Sequence, residues 1–232
     1  MRAEIKKKWK NPKVEPEWVA VGRVFESSYY DPKEIPTITK YSKSDEEYES
    51  NEKFTVEPYD GRNYDLFAIL ANVRNGYGFA GVDTGDGFKP IAMPKGVPND
   101  ASKYYKLLVK QWDGDGHSHS YFTLDELEKY DWNQKTIRRG VVDFKEYKVF
   151  KKKGRPNNWS GAVIGQNVKN VSNKEMEKVK EDPNRSYFTQ VSWILTYKEA
   201  VGSFFTKTIP QLRKLSKNKD VLDIRILFFF DN

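Results

Sequence analysis

The chain has 232 residues, 38% of them hydrophobic, 31% charged and 15% aromatic, enough for one large domain or two small ones with a core rich in Trp, Tyr and Phe. Forty Lys and Arg against 33 Asp and Glu leave a formal net charge of +7, which favours acidic or phosphate-bearing partners over cationic ones, although a Lys-rich surface also serves plain solubility. There is no cysteine, which excludes disulfides and thiolate metal ligands; the longest apolar run, Ile226 to Phe230, falls far short of the ~20 residues that span a bilayer, so a soluble intracellular protein is expected.

Ala3 to Lys10 and Glu17 to Phe25 predict two strands joined by a turn at Asn11-Pro12. Residues 27–53, with Pro32, Pro36 and the acidic run Asp45-Glu46-Glu47, keep neither period and predict a long loop or insertion. From Tyr64 to Arg74 the apolar residues Leu66, Phe67, Ile69, Leu70 and Val73 share one helical face, with Asn63 or Asp65 to cap the start and Asn75-Gly76 to end it. The glycine-rich passage Gly76 to Lys89 contains no Gly-Lys-Ser/Thr and follows no strand, so it is neither a P-loop nor a dinucleotide fingerprint. It predicts a loop whose backbone N–H groups could approach an anion. Ile91 to Pro98 reads as an extended connector into a helix capped by Asp100 or Ser102 and ending near Trp112.

Chemistry is concentrated in Trp112-Asp113-Gly114-Asp115-Gly116-His117-Ser118-His119-Ser120, which holds both histidines of the chain. In an extended segment alternate residues share a side, so His117 and His119 can turn toward one point, with Asp113 and Asp115 at the same parity. Two imidazoles and one or two carboxylates suit a divalent zinc, manganese or iron, and a metal-bound hydroxide or either histidine alone could serve a hydrolytic step. No cofactor is firmly implied: His-x-His supplies two ligands only, Asp-Gly-Asp-Gly is ordinary turn chemistry, and Ser-His-Ser equally suits a buried hydrogen-bonded corner. Thr123-Leu124-Asp125-Glu126 forms a capping box, with Phe122 and Leu127 as its hydrophobic staple, and predicts a helix over 124–130. Ser118 and Ser120 then stand beside a helix end that favours anions, with Arg74, Lys89 and Lys95 as candidates to hold a phosphate.

Val141 to Phe150 reads as a strand, and Lys151-Lys152-Lys153-Gly154-Arg155-Pro156 as the exposed basic turn after it. With Arg138 and Arg139 this is the densest positive patch, a candidate contact for nucleic acid or an acidic partner. Ser172-Asn173-Lys174-Glu175 caps a short helix, and Tyr187 to Leu195 is a strand. Thr196-Tyr197-Lys198-Glu199 is a third capping box, opening a helix that Pro210 kinks or divides, and Val221 to Phe230 is the final strand. Together these predict an α+β protein: a mixed, mostly antiparallel sheet that includes both terminal strands, with four or five helices packed on it.

Asn63-Tyr64-Asp65-Leu66-Phe67-Ala68 through Asn75, Pro94-Lys95-Gly96-Val97-Pro98-Asn99-Asp100, Asp115-Gly116-His117-Ser118-His119-Ser120 with the Thr-Leu helix after it, and the ending Arg225 to Asn232 together resemble a family encoded mainly in bacteriophage genomes. Its members typically begin Met-Gly-Cys-Asp-Ile-His. Set against that family, residues 1–232 read as a single α+β domain with insertions at about 27–53 and 135–185. Ala3-Glu4-Ile5-Lys6 is similar to the strand just after the family's opening motif, so the Cys, Asp and His of that motif are missing here unless the true start codon lies upstream. The resemblance implies a phage-encoded accessory protein in the cytoplasm of the infected bacterium. Combined with the charge, it gives the expectation of a protein that binds a host protein, a nucleoprotein complex, or a nucleotide or nucleic-acid ligand, with no membrane, to blunt a defence system. The alternative is a metal-dependent hydrolase or phosphoesterase in which Asp115, His117 and His119 hold the metal and Asp113 orients a ligand or acts as base.

Overall fold

The computed structural model describes residues 1–10, 12–23, 63–112, 114–180 and 185–231. The expected insertion at 27–53 and the candidate ligand Asp113 lie outside the described residues. In chain order the elements are β1 (Arg2–Lys7), β2 (Glu17–Arg23), α1 (Tyr64–Ala71), a 3₁₀ turn (Phe79–Gly81), α2 (Lys103–Gln111), β3 (His117–Thr123), α3 (Leu124–Lys129), β4 (Lys135–Asp143) and α4 (Phe144–Lys153). They continue with β5 (Val168–Asn170), α5 (Asn173–Met176), β6 (Ser186–Thr196), α6 (Tyr197–Val201), a π-helical turn (Phe204–Thr208), α7 (Ile209–Ser216) and β7 (Val221–Phe230). The α+β class expected from the sequence is the one observed, with two mostly antiparallel sheets and no helix among the described residues long and apolar enough to cross a membrane.

The chain forms two compact units. The first comprises Met1–Asn63, Ile91–Asp131 and Gly202–Asn232, and the second Tyr64–Pro90 and Trp132–Val201. The first is built on an antiparallel sheet of order β2-β1-β7-β3, so the two terminal strands lie side by side at its centre. Ile224, Ile226, Leu227, Phe228 and Phe230 are all buried. A strand covered on both faces has no solvent side to alternate toward, which is why this stretch reads as one apolar run. Ala101, Tyr105 and Leu108 from the α2 region pack on Leu227. The capping box at α3 is complete: Thr123 Oγ1 accepts the Glu126 N–H and Glu126 Oε2 accepts the Thr123 N–H, while Phe122 and Leu127 are fully buried.

The second unit holds a sheet of order β4-β6-β5, antiparallel between β4 and β6 and parallel between β5 and β6. Its core is Val142, Tyr147, Met176, Val191 and Trp193. Helix α1 stops at Ala71, three residues short of the expected Arg74, because Asn72 (φ 59°) and Arg74 (φ 51°) take the left-handed conformation. Asn75 then clips the glycine-rich passage shut, its Nδ2 donating to Phe88 O at 2.7 Å and its Oδ1 accepting the Phe88 N–H at 2.6 Å.

The strand expected over Val141 to Phe150 is corrected: β4 ends at Asp143 and the next ten residues are helix. Asp143 caps α4 by accepting the Glu146 N–H at 2.8 Å, and Phe144, Tyr147 and Phe150, three residues apart, bring one helical face to the core. Gly154 at φ 75° ends it. Lys151, Lys152 and Lys153 are therefore the last turn of a helix, not part of a turn that follows a strand. The expected division at Pro210 is present: Pro210 sits in the first turn of α7, after the π-helical turn.

Candidate functional site

Strand β3 reaches the histidines through a bulge. Ser118 has φ 52°, and the register against β7 slips between His117, opposite Phe230, and Ser120, opposite Phe228. The His117 ring packs against Phe230 at 6.0 Å and the His119 ring against Phe229 at 5.1 Å. Successive strand residues point to opposite faces, so the two imidazoles lie on opposite sides of the sheet and the expected convergence on one point does not occur. His117 Nδ1 is 2.9 Å from Ser118 Oγ, whereas His119 Nδ1 is buried with no hydrogen-bond partner. Asp115 is exposed in the turn before them, its N–H donating to Trp112 O at 3.1 Å. Among the described residues no group of three or more His, Cys, Asp and Glu is placed to hold a metal ion.

Burial pushes the His119 pKa below the ordinary imidazole value, and the nearby His117 adds to this against an opposing interaction with the Gly116 backbone. A histidine depressed in the fold binds a proton more readily when unfolded, so its contribution to stability is complete above ~6.5 and is lost as pH falls through the folded value. His119→Phe, which keeps the aromatic contact with Phe229, is expected to lose less stability than the unmutated protein between about pH 7 and 5. Guanidinium unfolding of the pair at both pH values measures this, and identical acid sensitivity would remove His119 as the cause.

Ser120 is buried, and its Oγ accepts the Lys95 N–H at 3.2 Å. Lys95 Nζ pairs with Glu126 Oε1 at 2.6 Å and lies over the rings of Tyr121 and Phe122, at 4.6 and 4.4 Å. The Glu126 carboxylate therefore already occupies the helix end expected to attract a ligand anion. Burial alone would raise the Glu126 pKa, but the bonds from Lys95 and Thr123 outweigh it and hold the group below its ordinary value. Arg74 and Lys89 belong to the other unit: Arg74 is exposed with its guanidinium 4.9 Å from the Tyr64 ring, and Lys89 is exposed beyond an N–H that donates to the Tyr197 hydroxyl at 2.8 Å. The five expected ligand-holding residues are thus divided between two units.

The residues of the expected basic patch also differ in their surroundings. Arg138 is buried, ion-paired with Asp65 and flanked by the rings of Phe88 and Trp159 at 5.7 and 5.2 Å, so it is a structural cation. Arg139 pairs with Asp83 and Asp86. Lys151, Lys152, Lys153 and Arg155 are exposed; Lys151 reaches Glu177 at 2.9 Å and Arg155 reaches Glu199 at 3.0 Å. Sequence reasoning missed Lys145 and Lys148, which share a face of α4 with Lys152 at i, i+3 and i+7 and are exposed. Helical periodicity would have found them had the segment been read as helix. The second unit contains 17 Lys and Arg against 10 Asp and Glu and the first 23 against 23, so the whole net charge of +7 resides in the second unit.

No family model matches the chain, and no curated protein or solved structure matches it.

Proposed function

We propose that the second unit binds nucleic acid through its phosphate backbone, and that the protein acts by binding and not by chemistry at the histidine segment. The observation that carries this reading is the concentration of the entire net charge in the second unit, with Lys145, Lys148 and Lys152 exposed along one face of α4. A lysine-rich helix face gains by releasing counterions from each phosphate it meets, which gives tight binding at low salt without base preference. In the setting that the phage resemblance implies, the ligand is nucleic acid of the infected bacterium or of its defence machinery.

Fluorescence anisotropy with a labelled oligonucleotide tests the reading. Three phosphate contacts predict a ~40-fold loss of affinity for a duplex and a ~20-fold loss for a single strand between about 0.05 and 0.2 M salt, and the Lys145→Glu/Lys148→Glu/Lys152→Glu variant is expected to lose most binding at the lower salt. Absence of binding at low salt, or a triple variant that binds like the unmutated protein, would sink it.

A further inference from the structure

We infer that the nucleic acid is single-stranded, its bases stacking on aromatic side chains that two adjoining loops of the second unit hold in solvent; this rests on the reading just given. Tyr77 is 56% exposed, Phe79 73% and Trp159 41%, large apolar rings that would ordinarily be buried. The first loop is a narrow hairpin. Gly78 N–H donates to Val82 O at 2.8 Å, Tyr77 pairs with Asp83, and the tip turns through Ala80 (φ 55°) and Gly81 (φ 74°).

The base of this hairpin is fastened to β4, where Thr84 O accepts the Arg139 N–H at 2.9 Å and Ile137 O accepts the Asp86 N–H at 3.0 Å. The segment carrying Trp159 is fastened next to it, since Val141 and Ser160 exchange both backbone hydrogen bonds, at 2.7 and 2.9 Å. Residues 137, 139 and 141 alternate along β4 and so use the same edge, and a Cβ on Gly161 would stand 3.3 Å from Val82 Cγ1. The two loops therefore touch.

Trp159 is also held in orientation, its ring edge-on to Trp193 at 5.6 Å and under the Arg138 guanidinium at 5.2 Å. The same segment is tied to the basic helix. Asn157 N–H and Asn158 Nδ2 both donate to the Glu146 carboxylate, at 2.8 and 3.1 Å, and Glu146 lies between Lys145 and Lys148 in the sequence. Asp83 and Asp86 at the hairpin base would repel a phosphate, but both are paired with Arg139. Cations and fixed, solvent-facing rings within one unit are the combination that holds a single strand: every base has a π-face to stack, whereas in a duplex those faces are already covered.

The test compares a labelled single strand with its own duplex by anisotropy at about 0.05 M salt, using the unmutated protein, Tyr77→Ala/Phe79→Ala and the triple lysine variant. The single strand should bind at least tenfold more tightly. The aromatic variant should lose roughly tenfold or more on the single strand while changing little on the duplex, and circular dichroism should confirm that these exposed substitutions leave the fold intact. Equal affinity for the two forms, or an aromatic variant that binds the single strand normally while the lysine variant fails, would overturn the single-strand inference and leave the nucleic-acid reading standing. Failure of the unmutated protein to bind either form would remove both, and capture of an apolar acidic peptide by the same rings would replace them.

Discussion

Replacing Arg225 with Met is expected to destabilise the protein by about 3–5 kcal/mol, because it strands a carboxylate in the centre of the first unit's sheet. Glu4 and Arg225 stand directly opposite each other on β1 and β7, with 0% and 3% of their surfaces exposed. Glu4 Oε2 accepts from Arg225 Nε at 2.9 Å and is ion-paired with Nη2 at 2.8 Å, while Glu4 Oε1 accepts the Ser102 N–H at 3.0 Å. The guanidinium also donates to Asp100 Oδ1 at 2.8 Å and to Asp100 O at 3.1 Å, and lies 3.8 Å from the Trp18 ring centre. Trp18 Nε1 in turn donates to Asp100 Oδ2 at 2.8 Å. Methionine keeps the aliphatic stem and removes the charge, so the main loss is electrostatic.

The double variant Glu4→Gln/Arg225→Met separates that loss from packing. Gln retains an acceptor for Ser102 and carries no charge to desolvate, so the double variant is expected to be more stable than Arg225→Met alone. Non-additivity of this sign, read from urea unfolding, marks a coupled buried pair. An Arg225→Met protein within about 1 kcal/mol of the unmutated one would mean that Glu4 is not held in a dry interior.

This pair shows where sequence reading stops. Glu4 and Arg225 are separated by 221 positions and Arg138 and Asp65 by 73, and neither pairing has a local signature. Arg138 therefore read as part of a surface patch although its charge is spent inside the second unit. What acts over three or four residues was legible: Ser102, Thr123 and Ser172 cap the helices expected of them, and the apolar run from Val221 is a buried central strand. The segment after Val141 was misread because a half-buried strand passes straight into a helix there with no break residue, leaving the Asp143-x-x-Glu146 cap as the boundary mark. The histidine segment was misread for another reason. Its bulge turns on a left-handed Ser118, and serine does not announce a positive φ as glycine does. One such residue moved a parity argument for two imidazoles onto opposite faces.

Gly85→Ala is expected to cost ~3–5 kcal/mol and to release the aromatic hairpin from β4, combining backbone strain with a clash that no side-chain rearrangement can relieve. Gly85 has φ 142°, a conformation L-residues rarely adopt, and a Cβ there would stand 2.1 Å from Ile137 O and 3.1 Å from Arg138 Cα. Both obstacles are main-chain atoms of a strand pinned on its other edge by β6, so the loop must yield. Yielding loosens the Asp86-to-Ile137 and Arg139-to-Thr84 hydrogen bonds that seat the hairpin. Gly81→Ala is the control: φ is 74° there too, but nothing lies within 4 Å of the added carbon, so only the left-handed strain of ~1–2 kcal/mol is expected. Unfolding titrations rank the two variants, and amide exchange at Asp86 and Arg139 locates the damage. Should Gly85→Ala prove no worse than Gly81→Ala, the hairpin is not seated on β4 and the fixed geometry assigned to Tyr77 and Phe79 loses its foundation. If the ranking holds, Gly85→Ala should also weaken single-strand binding with every lysine of α4 intact, separating the positioning of the rings from the charge that draws the strand in.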